Sequence, residues 1–314
     1  MIALGIDSGG SNTRLAFRRA DGTVEIIRGA RGNVAERGPG PVARTMVSLV
    51  KKGISRLGGE AEISELSALA GRLVVGAAGV GTAGLCSALE QKLGELLPNI
   101  GLTVVTDAEL AMHTAFGRRA GLAIIVGTGT AMFMRGQDGS IICGGGWGPL
   151  AGDVGGGFWL GRHLLSHVAD VYDGLAESDS VVEAFLQQEG VSDRASFKGW
   201  LRSAGRKRKA VAAIAPLVLN GLGRGEGWPC WLCSQAAKEL GRLAHSMANG
   251  AEGQGSMCAV LVGGVVEGET AGSEKYRQIV AQCCSREADV KVVELPHRPV
   301  EGALLWAEEF TCGG

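Results

Sequence analysis

Near its beginning the chain contains the segment Gly5-Ile6-Asp7-Ser8-Gly9-Gly10-Ser11-Asn12-Thr13. Apolar residues before it predict a buried strand over 2–6, and alternating residues after it predict a second strand over 14–18. A turn of glycine and hydroxyl residues between two strands presents N–H and O–H donors to a phosphate group. Asp7, at the end of the first strand, is a candidate ligand of Mg²⁺ through a water molecule. A tight hairpin without a ligand is the alternative, and no Gly-Lys-Ser/Thr follows as in a Walker A loop.

Two more glycine-rich turns follow apolar strands further along the chain. Gly127-Thr128-Gly129-Thr130 lies between apolar runs at 124–126 and 131–133, which repeats the strand–turn–strand pattern. Val262-Gly263-Gly264-Val265 lacks the side chains that would keep an adenine ring away from the backbone. Each turn alone is a weak indication. Three turns in this order predict a two-lobed ATP-binding protein.

Asp107 follows an apolar strand predicted over 102–105 and begins a helix predicted over 107–116. The positive end of the helix dipole stabilises a carboxylate at this position. Transfer of a phosphoryl group to a hydroxyl requires a positioned carboxylate that accepts the hydroxyl proton. Asp107 is the best-placed candidate for this general base, and an ordinary helix N-cap is the alternative explanation of the same residue.

A long glycine-rich loop contains Gly144-Gly145-Gly146-Trp147-Gly148 and continues to Gly152-Asp153, where it leads into a helix. It is too flexible for a strand and too apolar for a linker. Trp147 offers a flat apolar face and Asp153 offers hydrogen-bond acceptors, as a sugar requires. We therefore predict a ligand loop, with a plain glycine-rich connection as the alternative.

Composition and charge exclude several classes of protein. Lys and Arg number 31 against 32 Asp and Glu, a net charge of −1, which argues against nucleic-acid and anionic-membrane partners. The basic run Arg206-Lys207-Arg208-Lys209 is short and is predicted to be the solvated start of a helix. No uncharged run of 18 apolar residues is present, so we predict no transmembrane helix.

The cysteines predict a reducing compartment. Eight are scattered along the chain, and the chain does not open with the basic start and long apolar stretch of a signal peptide, so we expect a cytoplasmic location. Cys230 and Cys233 form the single C-x-x-C pair, with neither a second pair nor histidines at zinc-finger spacing. Buried helix thiols are therefore favoured over a metal site.

The order of predicted elements indicates a duplicated α/β fold. An antiparallel three-strand start, with hairpin turns at 20–22 and again at 137–139, occurs twice, and alternating strands and helices follow it. We therefore expect two lobes, each a mixed sheet flanked by helices. The N-terminal lobe is placed at 1–117 and the C-terminal lobe at 118–314, with the closing helix 300–310 as a candidate to pack back on the N-terminal lobe.

Taken together, these motifs resemble the BadF/BadG/BcrA/BcrD-type ATPase family over nearly the whole chain, and most closely its N-acetylglucosamine kinases. The first, second and third turns resemble its two phosphate motifs and its adenosine motif, and Thr106-Asp107-Ala108 resembles its catalytic element. The resemblance implies a two-lobed actin/hexokinase-like (ribonuclease H-like) ATPase fold with ATP and Mg²⁺ as cofactors. It also implies phosphorylation of the 6-hydroxyl of N-acetylglucosamine or glucosamine, and a homodimer.

The resemblance also assigns individual residues. The nucleotide contacts that it implies are Asp7 (toward Mg²⁺ through water), Gly9, Gly10, Ser11, Asn12, Thr13, Gly127, Thr128, Gly129, Gly263 and Gly264. The sugar contacts that it implies are Asn33, Asp107, Gly146, Trp147, Gly148 and Asp153. Gly32 stands where the family often has a hydroxyl residue, and the segment 76–80 lacks serines found in some members. These two departures leave the identity of the sugar open.

Two other functions remain open on the sequence. An ATP-driven activator of a 2-hydroxyacyl-CoA dehydratase or benzoyl-CoA reductase shares the family, but it carries an iron–sulfur cluster held by cysteine thiolates. The predicted helix 154–168 contains no cysteine, which argues against this function. A non-catalytic sugar sensor built on a kinase fold is the other alternative, and the presence of Asp107 argues against it.

Overall fold

The computed structural model describes residues 2–10, 12–57, 70–81, 84–98, 100–249 and 257–312. The chain divides into two compact units. The first comprises Met1–Arg118 together with Leu295–Gly314, and the second comprises Arg119–Glu294. Within the described ranges, no helix has both the length and the apolar character needed to cross a lipid bilayer.

Strands and helices alternate along most of the chain. The strands are β1 (Ile2–Ser8), β2 (Thr13–Arg18), β3 (Val24–Gly29), β4 (Ala70–Ala77), β5 (Gly101–Thr106), β6 (Gly121–Val126), β7 (Thr130–Arg135), β8 (Ile141–Gly145), β9 (Met257–Val262) and β10 (Val290–Val293). The helices are α1 (Val34–Arg37), α2 (Pro39–Arg56), α3 (Leu85–Leu96), α4 (Asp107–Phe116), α5 (Gly157–Asp173), α6 (Ser180–Glu189), α7 (Arg194–Ser203), α8 (Arg208–Ala213), α9 (Ala215–Arg224), α10 (Gly227–Asn249), α11 (Ala271–Ala288) and α12 (Pro299–Cys312).

The sheet of the first unit is mixed, with the strand order β3-β2-β1-β4-β5. β1, β2 and β3 form an antiparallel meander, whereas β4 and β5 run parallel to β1. This arrangement follows from the connections. Short turns join the meander strands, and helices make the longer crossovers that parallel strands require.

One face of this sheet is covered by α2. The helix begins at Pro39, a position that suits proline because its missing N–H would have no intrahelical partner. Val42, Met46 and Leu49 are buried on one side of the helix at spacings of four and three residues. They share a core with Leu15 of β2, so the helical periodicity of the sequence becomes the first core.

The last helix, α12, covers the opposite face of the sheet. Neighbouring residues of a strand point to opposite sides of a sheet, so each strand contributes side chains to both faces. Ala303 packs with Val74 of β4 and Leu110 of α4 in a separate buried cluster. Glu308 accepts two hydrogen bonds from the Arg18 guanidinium, at 2.7 and 3.0 Å. The chain therefore returns to the first unit at its C-terminal end.

The second unit repeats the same topology. Its strand order is β10-β9-β6-β7-β8, in which β6, β7 and β8 are antiparallel and β9 and β10 run parallel to β6. Helices α5 to α10 lie in sequence between β8 and β9, and they form one large core with the sheet. The prediction of two mixed sheets flanked by helices, each starting with an antiparallel meander, is confirmed.

Candidate active site

In the first unit, the carboxyl ends of three parallel strands lie side by side. Ser8 of β1 pairs with Ala77 of β4, and Ala77 pairs with Thr106 of β5. The residues that follow these strand ends are the first glycine turn, the segment 78–81 and Asp107. Open α/β sheets bind ligands at this edge. The register therefore brings the predicted phosphate turn and the predicted base to the same edge of one sheet.

The first glycine turn joins β1 to β2 and is closed by a hydrogen bond from the N–H of Gly9 to the carbonyl of Asn12, 2.8 Å long. Gly10 and Asn12 are exposed, and a Cβ added at Gly10 would meet nothing within 4 Å. Ser11, also predicted to contact ATP, lies outside the described residues. The exposed part of the turn leaves room for a ligand to approach the backbone closely.

The two hydroxyl groups that flank this turn point into the protein. Ser8 and Thr13 are fully buried, with their oxygens 3.1 Å apart, and Ser8 Oγ also donates to the carbonyl of Gly32. A Cβ at Gly32 would overlap Ser8 Oγ and lie 2.6 Å from Thr13 Oγ1. The hydroxyl residue that the family often has at position 32 would therefore not fit here, because Ser8 already fills that space.

Asn33 lies beside the first turn, since the N–H of Gly32 donates to the carbonyl of Gly9 at 3.0 Å. The Asn33 side chain caps α1, where Oδ1 accepts from the N–H of Glu36 at 3.3 Å. Its amide nitrogen makes no hydrogen bond with any described residue. Asn33 therefore has a fixed position and a donor that remains available to a ligand.

Helix α4 is capped by Thr106, not by Asp107. Thr106 Oγ1 accepts from the N–H of Glu109 at 3.0 Å, and Glu109 Oε2 accepts from the N–H of Thr106 at 2.9 Å, which together form a capping box. The interpretation of Asp107 as an ordinary N-cap is therefore wrong. Asp107 occupies the first helical position, where the cap does not need its carboxylate.

The Asp107 carboxyl group is partly buried, and Oδ1 accepts from the N–H of Ala108 at 3.1 Å. Loss of solvation raises its pKa from 3.8 to about 6, and the backbone hydrogen bonds only partly oppose this change. In the described part of the chain, no cation contributes to the pKa of Asp107. A carboxylate that titrates near neutral pH at a ligand-binding edge is suited to take up and release a proton.

In the second unit, the Gly127–Thr130 turn has two backbone N–H groups without an acceptor among the described residues, whereas its carbonyls accept hydrogen bonds from the protein. The carbonyls of Gly127 and Thr128 accept from the N–H groups of Gly157 and Phe158 at 2.8 and 2.9 Å, and the carbonyl of Gly129 accepts from Gly127. The N–H groups of Thr128 and Gly129 make no hydrogen bond with the described residues. Together with the exposed Thr128 hydroxyl, they form a set of donors suited to an anion.

The third glycine turn packs against the second one. The N–H of Val265 donates to the carbonyl of Val126 at 3.1 Å. Gly263 has a φ of +114°, and a Cβ there would lie 2.6 Å from the same carbonyl. Gly264 is exposed, with open space at its Cβ position. The structure thus brings the predicted adenosine motif next to the predicted phosphate turn.

The glycine-rich loop starts from the same place. The N–H of Gly146 donates to the carbonyl of Thr130 at 3.0 Å, so the loop leaves the sheet directly beside the second turn. Gly146 and Gly148 both have positive φ, and Trp147 between them is 78% exposed. The loop closes on itself through a hydrogen bond from Gly152 to the carbonyl of Gly148.

Asp153, predicted as a sugar contact, is buried and uses both carboxylate oxygens within its own unit. Oδ1 accepts from the N–H of Thr130 at 3.1 Å, and Oδ2 accepts from Nη2 of Arg208 at 2.5 Å. Its φ of +60° is unusual for a residue other than glycine. No local sequence pattern marks Arg208 as a site residue, because its partner lies 55 positions away.

Asp7 is suited to a water-mediated contact with Mg²⁺. Its carboxylate lies 3.4 Å from the Arg14 guanidinium and is mostly buried beside the first turn. Magnesium in nucleotide sites takes one or two carboxylates, together with water and phosphate oxygens. No group of three or more His, Cys, Asp and Glu side chains in the described part of the chain could hold a metal ion. A nucleotide would therefore have to supply further ligands.

Two topologically equivalent units, each with a glycine-rich turn after its first strand, define an ATPase fold of the hexokinase type. Hexokinase from Schistosoma mansoni complexed with glucose superposes with a TM-score of 0.54 at 12% identity, covering 98% of this chain and 85% of that one. A protein of Chromobacterium violaceum, provisionally assigned as an N-acetylglucosamine kinase, superposes with a TM-score of 0.76 at 23% identity, covering 97% of this chain and 98% of that one.

Within this fold class, the chain belongs to the BadF/BadG/BcrA/BcrD ATPase family, whose model matches residues 4–307. An N-acetylmuramic acid/N-acetylglucosamine kinase of Clostridium acetobutylicum is 26% identical over 239 residues, which is 76% of each chain. The resemblance inferred from the sequence motifs is confirmed at the level of the family.

Proposed function

We propose that this protein is an ATP-dependent amino-sugar kinase that phosphorylates the 6-hydroxyl of N-acetylglucosamine, with Asp107 as the general base. The observation that carries the proposal is the position of Asp107. It follows β5 at the same end of the sheet as the predicted first phosphate turn, and its pKa is about 6. Family membership supports ATP as the phosphoryl donor. The name of the relative from C. acetobutylicum supports an N-acetylated amino sugar as the acceptor.

The proposed reaction needs one proton acceptor on the protein. Asp107, ionised near neutral pH, accepts the proton of the sugar 6-hydroxyl as that oxygen bonds to the γ-phosphorus, and the bond from phosphorus to the ADP oxygen breaks. Mg²⁺ supplies charge neutralisation on the phosphates when it is bound. A base with a pKa close to the working pH combines a large ionised fraction with useful basicity.

The remaining site residues are assigned to binding. We assign Gly9, Gly10, Ser11, Asn12, Thr13, Gly127, Thr128 and Gly129 to the phosphates, with Asp7 toward Mg²⁺, and Gly263 and Gly264 to adenosine. The free donors of the second turn support this assignment. Thr13 is fully buried with its hydroxyl beside Ser8, so its part is to support the shape of the first turn. Asn33, Gly146, Trp147, Gly148 and Asp153 are assigned to the sugar. Asp153 retains acceptor capacity, since a carboxylate has about four acceptor sites.

A substrate screen tests the proposal. Purified protein is given MgATP with N-acetylglucosamine, glucosamine, N-acetylmuramic acid or glucose, and ADP release is followed. We expect the highest kcat/KM with N-acetylglucosamine and no turnover with its 6-deoxy analogue, which lacks the acceptor hydroxyl. ATP hydrolysis that is independent of sugar, or full activity with the 6-deoxy analogue, would contradict the proposal.

A further inference from the structure

The Asp153–Arg208 pair combines a buried anion with a half-exposed cation. The Asp153 side chain is 4% exposed, whereas that of Arg208 is 47% exposed. A buried carboxylate is expensive unless it is paired and hydrogen-bonded, and Arg208 supplies the charge that it needs. The pairing uses one guanidinium nitrogen, Nη2, and nearly half of the Arg208 side chain stays accessible to a ligand.

Arg208 lies directly on the second phosphate turn. A Cβ placed on Gly129 would lie 2.6 Å from Nη2 of Arg208 and would also overlap Oδ2 of Asp153. The free N–H groups of Thr128 and Gly129 belong to the same turn. A cation is thus placed beside backbone donors that have no acceptor of their own, which is the composition of a phosphate site.

The Arg208 guanidinium has N–H donors that Asp153 does not use. Arginine carries five N–H donors in a planar fork, and one of them is used by Asp153. No other hydrogen bond of this side chain occurs within the described ranges. The remaining donors match the geometry of phosphate oxygens, for which arginine is better suited than lysine.

The backbone at Asp153 indicates that its side chain is needed at this position. Its φ of +60° favours glycine, yet the chain has an aspartate here among several glycines. Its two oxygens connect the N–H of Thr130 to Arg208, so they fix the guanidinium relative to the turn. This arrangement is that of a positioning residue.

We propose that Arg208 binds the terminal phosphates of the nucleotide held by the Gly127–Thr130 turn, and that Asp153 positions it there. The inference rests on the proposed kinase function and adds a phosphate-binding residue that none of the three glycine turns contains. Arg208 neutralises charge on the β- and γ-phosphates, while the free N–H groups of the turn bind phosphate oxygens. AMP lacks these two phosphates, so it gains little from Arg208.

The affinity ratio of ATP to AMP is the direct test. It is measured by titration calorimetry on the full chain for wild type, Arg208→Gln, Arg208→Lys and the control Arg206→Gln. We expect Arg208→Gln to lower the ratio about 10- to 100-fold, by weakening ATP and not AMP. Arg208→Lys should keep part of the ratio. Arg206, an exposed residue of the same basic run, should leave it unchanged.

Arg208→Gln leaves the buried Asp153 carboxylate unpaired and can therefore destabilise the fold. The double variant Asp153→Asn/Arg208→Gln removes both charges and keeps an acceptor for Thr130. We expect it to fold and to show the same reduced ratio. A wild-type ratio in either variant would overturn the inference and leave Arg208 a purely structural partner of Asp153. Failure of wild-type protein to bind ATP would instead refute the proposed kinase function itself.

Discussion

Replacing Asp107 with asparagine tests the proposed general base. The substitution keeps the size of the side chain and an acceptor for the N–H of Ala108, but it removes the negative charge and the proton acceptor. Helix α4 keeps its cap, because Thr106 provides it. We expect kcat to fall about 10²- to 10⁴-fold. The affinity for ATP should change little, since the lost interaction belongs to the transition state.

The same substitution should stabilise the protein, by an amount that depends on pH. Burial raises the pKa of Asp107 from 3.8 to about 6, so the native state binds more protons than the unfolded state between these pH values. The free energy of unfolding therefore falls as pH rises through this window. At about 1.4 kcal/mol per pH unit, the ionised carboxylate costs about 3 kcal/mol above pH 7 and about half of that at pH 5. Asparagine does not ionise, so the Asp107→Asn variant avoids this cost.

Two measurements check this reasoning. In wild type, kcat/KM for the sugar at saturating MgATP should fall below an apparent pKa near 6, and Asp107→Asn should lose this dependence. A limb that arose from titration of the nucleotide would persist in the variant. Urea unfolding at pH 5 and 7.5 gives the stability difference. Thr106→Ala serves as the control for the cap and should lose about 1 kcal/mol at both pH values. Near wild-type kcat in Asp107→Asn, or a loss of stability like that of Thr106→Ala, would refute the reasoning.

Two further predictions concern ligand binding, and a third concerns packing beneath the first turn. Saturation with MgATP at 100 times its Kd should stabilise wild type by about 2.7 kcal/mol in thermal unfolding. Gly129→Val should abolish this shift because its Cβ would collide with the Asp153–Arg208 pair, whereas Gly199→Ala, with open space around it, should keep it. Asn33→Ala should raise the KM for sugar at least tenfold with little change in the KM for ATP, and equal losses for both would mean a purely structural role. Gly32→Ser should lower the melting temperature by overlap with Ser8, and Ser8→Gly in the same chain should restore it, while a tolerated single variant would contradict the packing described above.

The sequence predicted those features that depend on local order along the chain. The three glycine turns follow apolar strands, and the placement of Asp107 after β5 follows from one short strand and one helix. The sequence also contains a pattern that indicates the cap of α4, because Thr106 and Glu109 have the spacing of a capping box. The carboxylate of Asp107, one position later, is an equally common N-cap residue, so the pattern alone does not decide between the two.

Other features depend on contacts between distant segments, and no local pattern encodes them. The Ser8 side chain occupies the space that a side chain at position 32 would need, although 24 positions separate the two residues. The lack of a hydroxyl at position 32 therefore does not reveal, in the sequence, that Ser8 fills this space. Arg208 lies in a basic run whose composition is that of a solvated helix start, and it is indeed exposed. Only the fold reveals that the same side chain reaches the buried carboxylate of Asp153.

Asp107 in the first unit and Asp153 in the second illustrate how one residue type is suited to two different roles. Asp153 is paired with Arg208 and bonded to the N–H of Thr130, so its charge is compensated and both oxygens are held in place. Asp107 accepts a hydrogen bond from the N–H of Ala108, and no cation among the described residues lowers its pKa, so loss of solvation raises that pKa to about 6. A carboxylate that is paired and hydrogen-bonded in this way is a stable support for a binding group, whereas the Asp107 carboxylate, with a pKa raised to about 6, exchanges a proton near neutral pH. If the roles follow from compensation in this way, a cation introduced beside Asp107 should lower its pKa and move the acid limb of kcat/KM to lower pH, whereas loss of Arg208 should affect nucleotide affinity and leave that limb in place.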